Sequence, residues 1–284
     1  MIRQYSTLTL LTFILAVLLV SCTGTGKDRT RYVELETSEG LIKVKLYNNT
    51  PLHRDNFISL VKEGYYDNIR FHRVIEDFMI QAGDYRTRPE LAADTSGRYD
   101  YTIQAEIIDT NFHKRGVLAA ARTGDRFNPE RRSSGTQFYI VQGKKFVDTV
   151  SPEGDTISGA MMIADVENRI NASLKQNIFY RHLQEERQKS RQSGDERSEA
   201  EIQEAATLAT YEELEEFKEI HIPQEHIEVY KTEGGTPHLD MQYTVFGEVV
   251  EGMDVVDRIA AVETGEGDRP VEDVIITSAR IVRK

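Results

Sequence analysis

The chain is 284 residues long and acidic, with 47 Asp and Glu against 35 Lys and Arg and a formal charge of −12. That balance argues against nucleic acid as a partner and against electrostatic docking on anionic lipid. A single cysteine rules out an internal disulfide, so no disulfide framework holds the fold.

At the start of the chain Arg3 precedes the uncharged apolar run Leu8 to Val20. The run is short for a permanent membrane helix and reads as a signal peptide over residues 1–21. Leu19-Val20-Ser21-Cys22 resembles a bacterial lipobox, in which the cysteine receives the lipid. Cys22 is therefore the expected lipidation site, residues 22–30 a Gly- and Thr-rich tether, and the bacterial cell envelope, lipid-anchored and facing the periplasm, the expected location. Loss of Arg3 with the leader takes the charge from −12 to −13, so attachment to a membrane rests on the lipid.

Residues 31–147 are patterned as short strands. Val33 and Leu35, then Ile42, Val44 and Leu46, alternate with polar residues on either side of Ser38-Glu39-Gly40, which predicts a hairpin. In His53 to Glu63 the apolar residues Phe57, Leu60 and Val61 fall at helical spacing, with Gly64 as a stop. Phe78 to Ile80, Val117 to Ala121 and Phe138 to Val141 read as further strands.

The pattern changes over residues 148–234. Ile163, Val166, Ile170, Leu174 and Ile178 form one apolar stripe of a long helix. Ser190 to Gly194 breaks it, Ser198 with Glu201 and Thr210 with Glu213 have the form of capping boxes, and Pro223 is expected to end the last helix. This stretch is acidic and is read as a helical insertion, either a solvated hairpin or an arm for a protein partner. Strand character returns in Tyr243 to Phe246 and Val274 to Val282, around a short helical pattern at Gly252 to Ile259. Residues 31–147 and 235–284 thus read as one β-rich domain interrupted by the insertion.

The chemistry is concentrated in Phe71-His72-Arg73-Val74-Ile75-Glu76-Asp77-Phe78-Met79-Ile80-Gln81-Ala82-Gly83-Asp84. Gly116 to Ala121 with Ser134 to Ile140, and Thr236 to Asp240 with Val245 to Val249, follow in order. Together these segments strongly resemble the cyclophilin family of peptidyl-prolyl cis-trans isomerases. The resemblance implies a mainly β fold, a closed eight-stranded antiparallel barrel capped by two helices, here carrying a long α-helical insertion. It also implies action on proline-containing polypeptides, with no cofactor and no metal.

Rotation about a peptide bond is opposed by about 18–20 kcal/mol of C–N double-bond character, so catalysis has to stabilise a twisted amide. Arg73 is the candidate for that task, since a guanidinium is a permanent charge with donors in a rigid fork. Gln81 is placed to hold the substrate backbone. The resemblance assigns Phe78, Met79, Tyr139 and Leu239 to an apolar proline socket, with Ala121 and Tyr243 on the adjoining groove. Tyr139 stands where many members have Phe, Tyr243 where many have His, Glu76-Asp77 where Pro-Gly is frequent, Arg122 where Asn is common, and His238 where cyclosporin-sensitive members carry Trp. His221 and His226 cannot share a helix face across Pro223 as metal ligands, and Gly234-Gly235 reads as a turn. Because the signature segments lie outside the insertion, the insertion is expected to be separable from the chemistry. The competing reading is a binding module of the same fold whose insertion docks an envelope partner.

Overall fold

The computed structural model describes residues 30–151, 155–194 and 197–283. The leader, Cys22 and most of the tether lie outside the described residues.

Thirteen strands alternate with six helices among the described residues. β1 (Arg31–Thr37) and β2 (Gly40–Leu46) form the expected hairpin, and Gly40 takes a φ of +129°, which is open to glycine. α1 (Pro51–Lys62) follows, then the short strands β3 (Ile69–Arg70), β4 (Arg73–Ile75) and β5 (Met79–Ala82). After the single turn α2 (Pro89–Ala92) come β6 (Thr102–Ile103), β7 (Val117–Ala120), β8 (Ser133–Ser134) and β9 (Phe138–Val141). The insertion contributes β10 (Thr149–Val150), β11 (Thr156–Ile157), α3 (Gly159–Ser193), α4 (Glu199–Leu214) and α5 (Gln224–Thr232). β12 (Val245–Glu251), α6 (Met253–Ala260) and β13 (Ile275–Val282) complete the chain.

Nine strands make one large curled antiparallel sheet in the order β3-β13-β1-β2-β12-β7-β9-β5-β4. The expectation was eight strands in a closed ring. The two outermost strands of the sheet, β3 and β4, are instead successive pieces of one segment, interrupted at Phe71-His72. There the Phe71 N–H donates to Val274 O on one side (2.9 Å) and the His72 N–H to Gln81 O on the other (3.1 Å).

The period of two along a strand sends alternate residues to opposite faces. Ile80 and Ala82 of β5, Leu118 and Ala120 of β7, and Phe138 and Ile140 of β9 enter the main core. That core also takes Phe57, Leu60 and Val61 from α1 and Val255, Val256 and Ile259 from α6, the two helices expected as caps. Met79, Val117, Ala119, Tyr139, Val141 and Val245 form a second, smaller apolar cluster on the other face. Burial on both sides explains why β7 and β9 read as unbroken apolar runs.

α3 begins at Ser158, whose side chain accepts from the Met161 N–H, and ends at Gly194 in the left-handed region. Its stripe is used as expected: Ile163 and Ile170 are buried with Phe146, Ile222 and Tyr230, and Val166 and Leu174 pack against them. The Ser198–Glu201 capping box is formed. Two local expectations fail. Thr210 caps nothing, because it lies inside α4 and its hydroxyl donates back to Ala206 O (2.6 Å). Pro223 does not end a helix but precedes α5, where a residue without an N–H is harmless.

Candidate active site

Antiparallel register puts the candidate residues in one row across the strands. Arg73 on β4 lies opposite Gln81 on β5, Gln81 opposite Tyr139 on β9, Tyr139 opposite Ala119 on β7, and Ala119 opposite Val245 on β12. All of them point away from the main core. The row ends on a pocket of about 100 Å³ lined by Arg73, Phe78, Met79, Gln81, Ala121, Arg122, Tyr139, Leu239 and Tyr243. Every substrate-contacting residue expected from the sequence is therefore in one place. Gln81, Ala121 and Arg122 also border a larger neighbouring pocket of about 340 Å³, which continues the groove past Tyr101, Thr136 and Gln137.

Arg73 is partly exposed, and its Nε donates to Asp268 Oδ2 at 3.2 Å. Among the described residues that is its only side-chain bond, so the pairing holds the guanidinium through Nε while Arg73 lines the pocket. Gln81 Nε2 donates to Gln137 Oε1 at 3.1 Å. Phe78 sits after the turn between β4 and β5, where Asp77 has a φ of +61° and donates its N–H to Gln142 Oε1 (2.7 Å). Asp tolerates that left-handed conformation better than most residues, so it can stand where relatives use glycine. Phe78 O accepts from the N–H groups of Gln142 and Gly143, both at 3.0 Å, which fixes the Phe78 end of the pocket to the strand end of β9.

Arg122 lines the groove as expected but is held there by its neighbours. Its side chain is almost fully buried; Nε donates to Gln242 O (2.8 Å), Nη1 lies 2.6 Å from Asp125 Oδ1, and the guanidinium stacks 4.4 Å from the Tyr243 ring. Arg131 joins the same carboxylate at 2.6 Å and donates to Met241 O (2.9 Å). Both arginines thereby fasten the 122–131 loop to the wall that carries Leu239 and Tyr243. His238 stands over Phe78 with ring centroids 5.4 Å apart.

Tyr139 is buried, and burial holds its phenol well above the usual tyrosine range, so the hydroxyl keeps its proton. Its oxygen is 2.9 Å from His113 Nε2. His113 Nδ1 is 2.9 Å from Asp240 Oδ1, which also accepts the His113 N–H at 2.8 Å, and Asp240 Oδ2 accepts the Tyr230 hydroxyl at 2.6 Å. None of these partners was singled out from the sequence. Asp240 lay in a recognised segment, but His113 and Tyr230 are ordinary residues until the fold brings them together. Asp268 was missed for the same reason, coming from a loop without periodic pattern. His72, beside Arg73 in the chain, is half-buried and its Nδ1 has no hydrogen-bond partner among the described residues. His226 stacks on Phe112 at 3.7 Å, while His221 lies 3.0 Å from Glu167, so the two face different neighbours.

The wall of the pocket leans on the insertion. α3 packs against the turn Pro237–Leu239, Ser173 Oγ donates to Gln242 Oε1 (2.7 Å), and Asn177 Nδ2 donates to Pro129 O (3.0 Å). The Gly234-Gly235 turn is threaded between two strand ends: a Cβ at Gly235 would come within 2.4 Å of His113 O, and one at Gly143 within 2.5 Å of Gly235 Cα. Only glycine permits so close a backbone approach.

Residues 32–177 and 186–281 match the family model for the cyclophilin type peptidyl-prolyl cis-trans isomerase/CLD. A Staphylococcus aureus (strain USA300) protein named "Putative peptidyl-prolyl cis-trans isomerase" is 28% identical over 247 residues, covering 87% of this chain and 89% of its own length. A Streptococcus pyogenes serotype M6 protein named "Putative bifunctional phosphatase/peptidyl-prolyl cis-trans isomerase" is 30% identical over 252 residues, 88% of this chain and 38% of that longer one. Among solved structures, a cyclophilin type peptidyl-prolyl cis-trans isomerase of Cryptosporidium parvum superposes with a TM-score of 0.51 at 17% identity, covering 90% of this chain and 99% of that one, and it shares the fold. The family match, continuous through the strands that carry Arg73, Gln81 and Tyr139, makes this chain a member of the cyclophilin-type peptidyl-prolyl cis-trans isomerases.

Proposed function

We propose that the protein catalyses cis-trans isomerisation of X–Pro bonds in exported polypeptides from a lipid-anchored position in the bacterial cell envelope. The observation that carries the catalytic part is the row Arg73–Gln81–Tyr139 above a pocket closed by Phe78, Met79 and Leu239. The prolyl ring fills the apolar pocket, and Gln81 holds the chain beside it. As the amide twists, its nitrogen becomes pyramidal and regains a lone pair, and the Arg73 guanidinium stabilises that state more than the planar one. Asp268 keeps the guanidinium aimed while leaving it charged. In this reading the curled sheet is closed through Phe71-His72, which gives the row a rigid floor.

A coupled proline-isomerisation assay on the form beginning after Cys22 tests the assignment. Arg73→Ala is expected to stay folded and to lose roughly ten- to more than a hundredfold in turnover, the effect of one charge-assisted contact worth about 1.5–3 kcal/mol. Unchanged turnover in the folded variant would remove Arg73 from the mechanism. Anchoring is supported by the lipobox-like Leu19-Val20-Ser21-Cys22. Cys22→Ser is expected to leave the precursor unprocessed or to release the protein from membranes, and fractionation showing normal processing with membrane retention would refute the anchor.

A further inference from the structure

The four residues Tyr139, His113, Asp240 and Tyr230 form an unbroken chain of side-chain contacts, with links of 2.9, 2.9 and 2.6 Å, from the floor of the proline pocket to a helix of the insertion. All four are buried. Asp240 as a carboxylate can only accept, and it receives the Tyr230 hydroxyl, the His113 backbone N–H and the His113 Nδ1–H. In the neutral tautomer that carries its proton on Nδ1, His113 presents Nε2 as an acceptor to which the Tyr139 hydroxyl donates. The bonds thus converge on the Asp240 carboxylate, from Tyr230 on the insertion side and from Tyr139 through His113 on the pocket side. Tyr230 is itself held fast, since its carbonyl accepts the Phe146 N–H (3.0 Å) and its ring packs among Phe146, Ile163 and Ile170.

A phenylalanine at position 139 would need none of this. The hydroxyl adds a polar atom in a place without water access, where an unpaired group costs free energy, and the chain of partners satisfies it. It also ties the ring's position to the insertion, because the Tyr139 ring cannot shift or tilt without lengthening the bond to His113.

We infer that Tyr230 is a positioning residue for the proline pocket, acting through Asp240 and His113 to hold the Tyr139 ring, so that the insertion and the pocket form one functional unit. The inference rests on the isomerase reading for its activity readout. The ring bounds the pocket in both the planar and the twisted state of the substrate, so its displacement weakens both alike and falls on KM.

The test is a double-mutant cycle in the full chain. Tyr230→Phe keeps the ring and removes the donor; it is expected to raise KM for a short X–Pro peptide about two- to tenfold, with kcat within about twofold. Tyr139→Phe cuts the far end of the chain of bonds, and adding Tyr230→Phe to it is expected to change KM no further. A simple loss of folded protein would instead lower kcat at constant KM. That outcome, additive effects in the double variant, or an unchanged KM in Tyr230→Phe would each overturn the proposal. Imidazole ¹⁵N shifts of His113 give a readout independent of catalysis: Tyr230→Phe is expected to move them, and an unmoved spectrum overturns the coupling. Should Tyr230→Phe not fold, 3-fluorotyrosine at position 230, a stronger donor of nearly the same shape, is expected to move the same signals in the wild-type background. If the wild-type protein is inert on every prolyl peptide, the isomerase reading fails by itself, and the cycle is then read on peptide Kd with the same expected and overturning results.

Discussion

The two halves of the long helix α3 are built on different principles. From Gly159 to Ile178 the helix buries Ile163 and Ile170 with Phe146, Ile222 and Tyr230, and its polar residues Asn171, Ser173 and Asn177 bond to Ile220, Gln242 and Pro129. Beyond Ile178 its apolar contacts shrink to a patch of Leu183, Phe179, Ile202 and Ala206 shared with α4. Ion pairs supply the rest: Arg181 and His182 with Glu213, Arg187 with Glu199, and Arg197 with Glu186 at 2.7 Å. Most of these charges are substantially exposed, and such pairs contribute about 0–1 kcal/mol each. The near half is therefore part of the molecule that holds the pocket, while the far half is a hairpin attached to it. An insertion in sequence is not one thing in structure.

That contrast divides the expectation that the insertion is separable from the chemistry, keeping it for the far half alone. The largest effect comes from exchanging 149–233 for a Gly/Ser linker. This deletes Tyr230, Ser173 and Asn177 and uncovers Phe146, and it is expected to cost on the order of a hundredfold or more in isomerase activity, or the soluble fold itself. Exchanging only 184–211 for a short turn leaves every one of those contacts in place and is expected to keep kcat/KM within about twofold, since loop closure depends weakly on length. Measuring both shortened proteins against the parent decides the matter: full activity in the larger deletion would erase the distinction between the halves.

A smaller and sharper comparison uses single substitutions of similar chemistry. Ile170→Ala is expected to lower the global unfolding free energy by about 2–5 kcal/mol, because its cavity opens inside the cluster shared with the pocket wall. Leu183→Ala is expected to leave the global denaturant midpoint nearly unchanged and to show itself as faster amide exchange confined to α4 and the end of α3. Equal shifts of the global midpoint would mean that the hairpin and the rest unfold together.

The sequence carried the site's own residues well, for a physical reason. Arg73, Phe78, Met79 and Gln81 belong to one hairpin and Tyr139 to the strand beside it, each inside a local motif, so pattern and motif coincide. The long stripe from Ile163 to Ile178 and the Ser198–Glu201 cap were legible because helix periodicity and capping are local. What escaped was everything decided by tertiary contact. Asp268 meets Arg73, and Tyr230 meets Asp240, only after distant segments fold together. Arg122 was legible as a groove residue, but not that the carboxylate of Asp125 and the Tyr243 ring would pin it in the wall. Thr210 and Pro223 were misread because identical local chemistry serves two ends: a threonine can cap a helix or bond back within one, and a proline can stop a helix or start it. The strand count escaped because β3 and β4 differ from one continuous strand only by the two-residue interruption at Phe71-His72, which no periodicity records.

The arrangement of β1 has a kinetic meaning. On one side it pairs with β2, its immediate neighbour in the chain, but on the other it pairs with β13, with Tyr32 opposite Val282. A chain emerging from the ribosome can therefore build the first hairpin early and yet has to wait for β13 to cover the free edge of β1. Contacts of such sequence separation are formed slowly, since the entropy of closing the loop is lost before the strands reward it. The far helical hairpin lengthens that loop at little cost in rate, whereas a truncation that removes β13 leaves the edge of β1 bare and open to pairing with another chain.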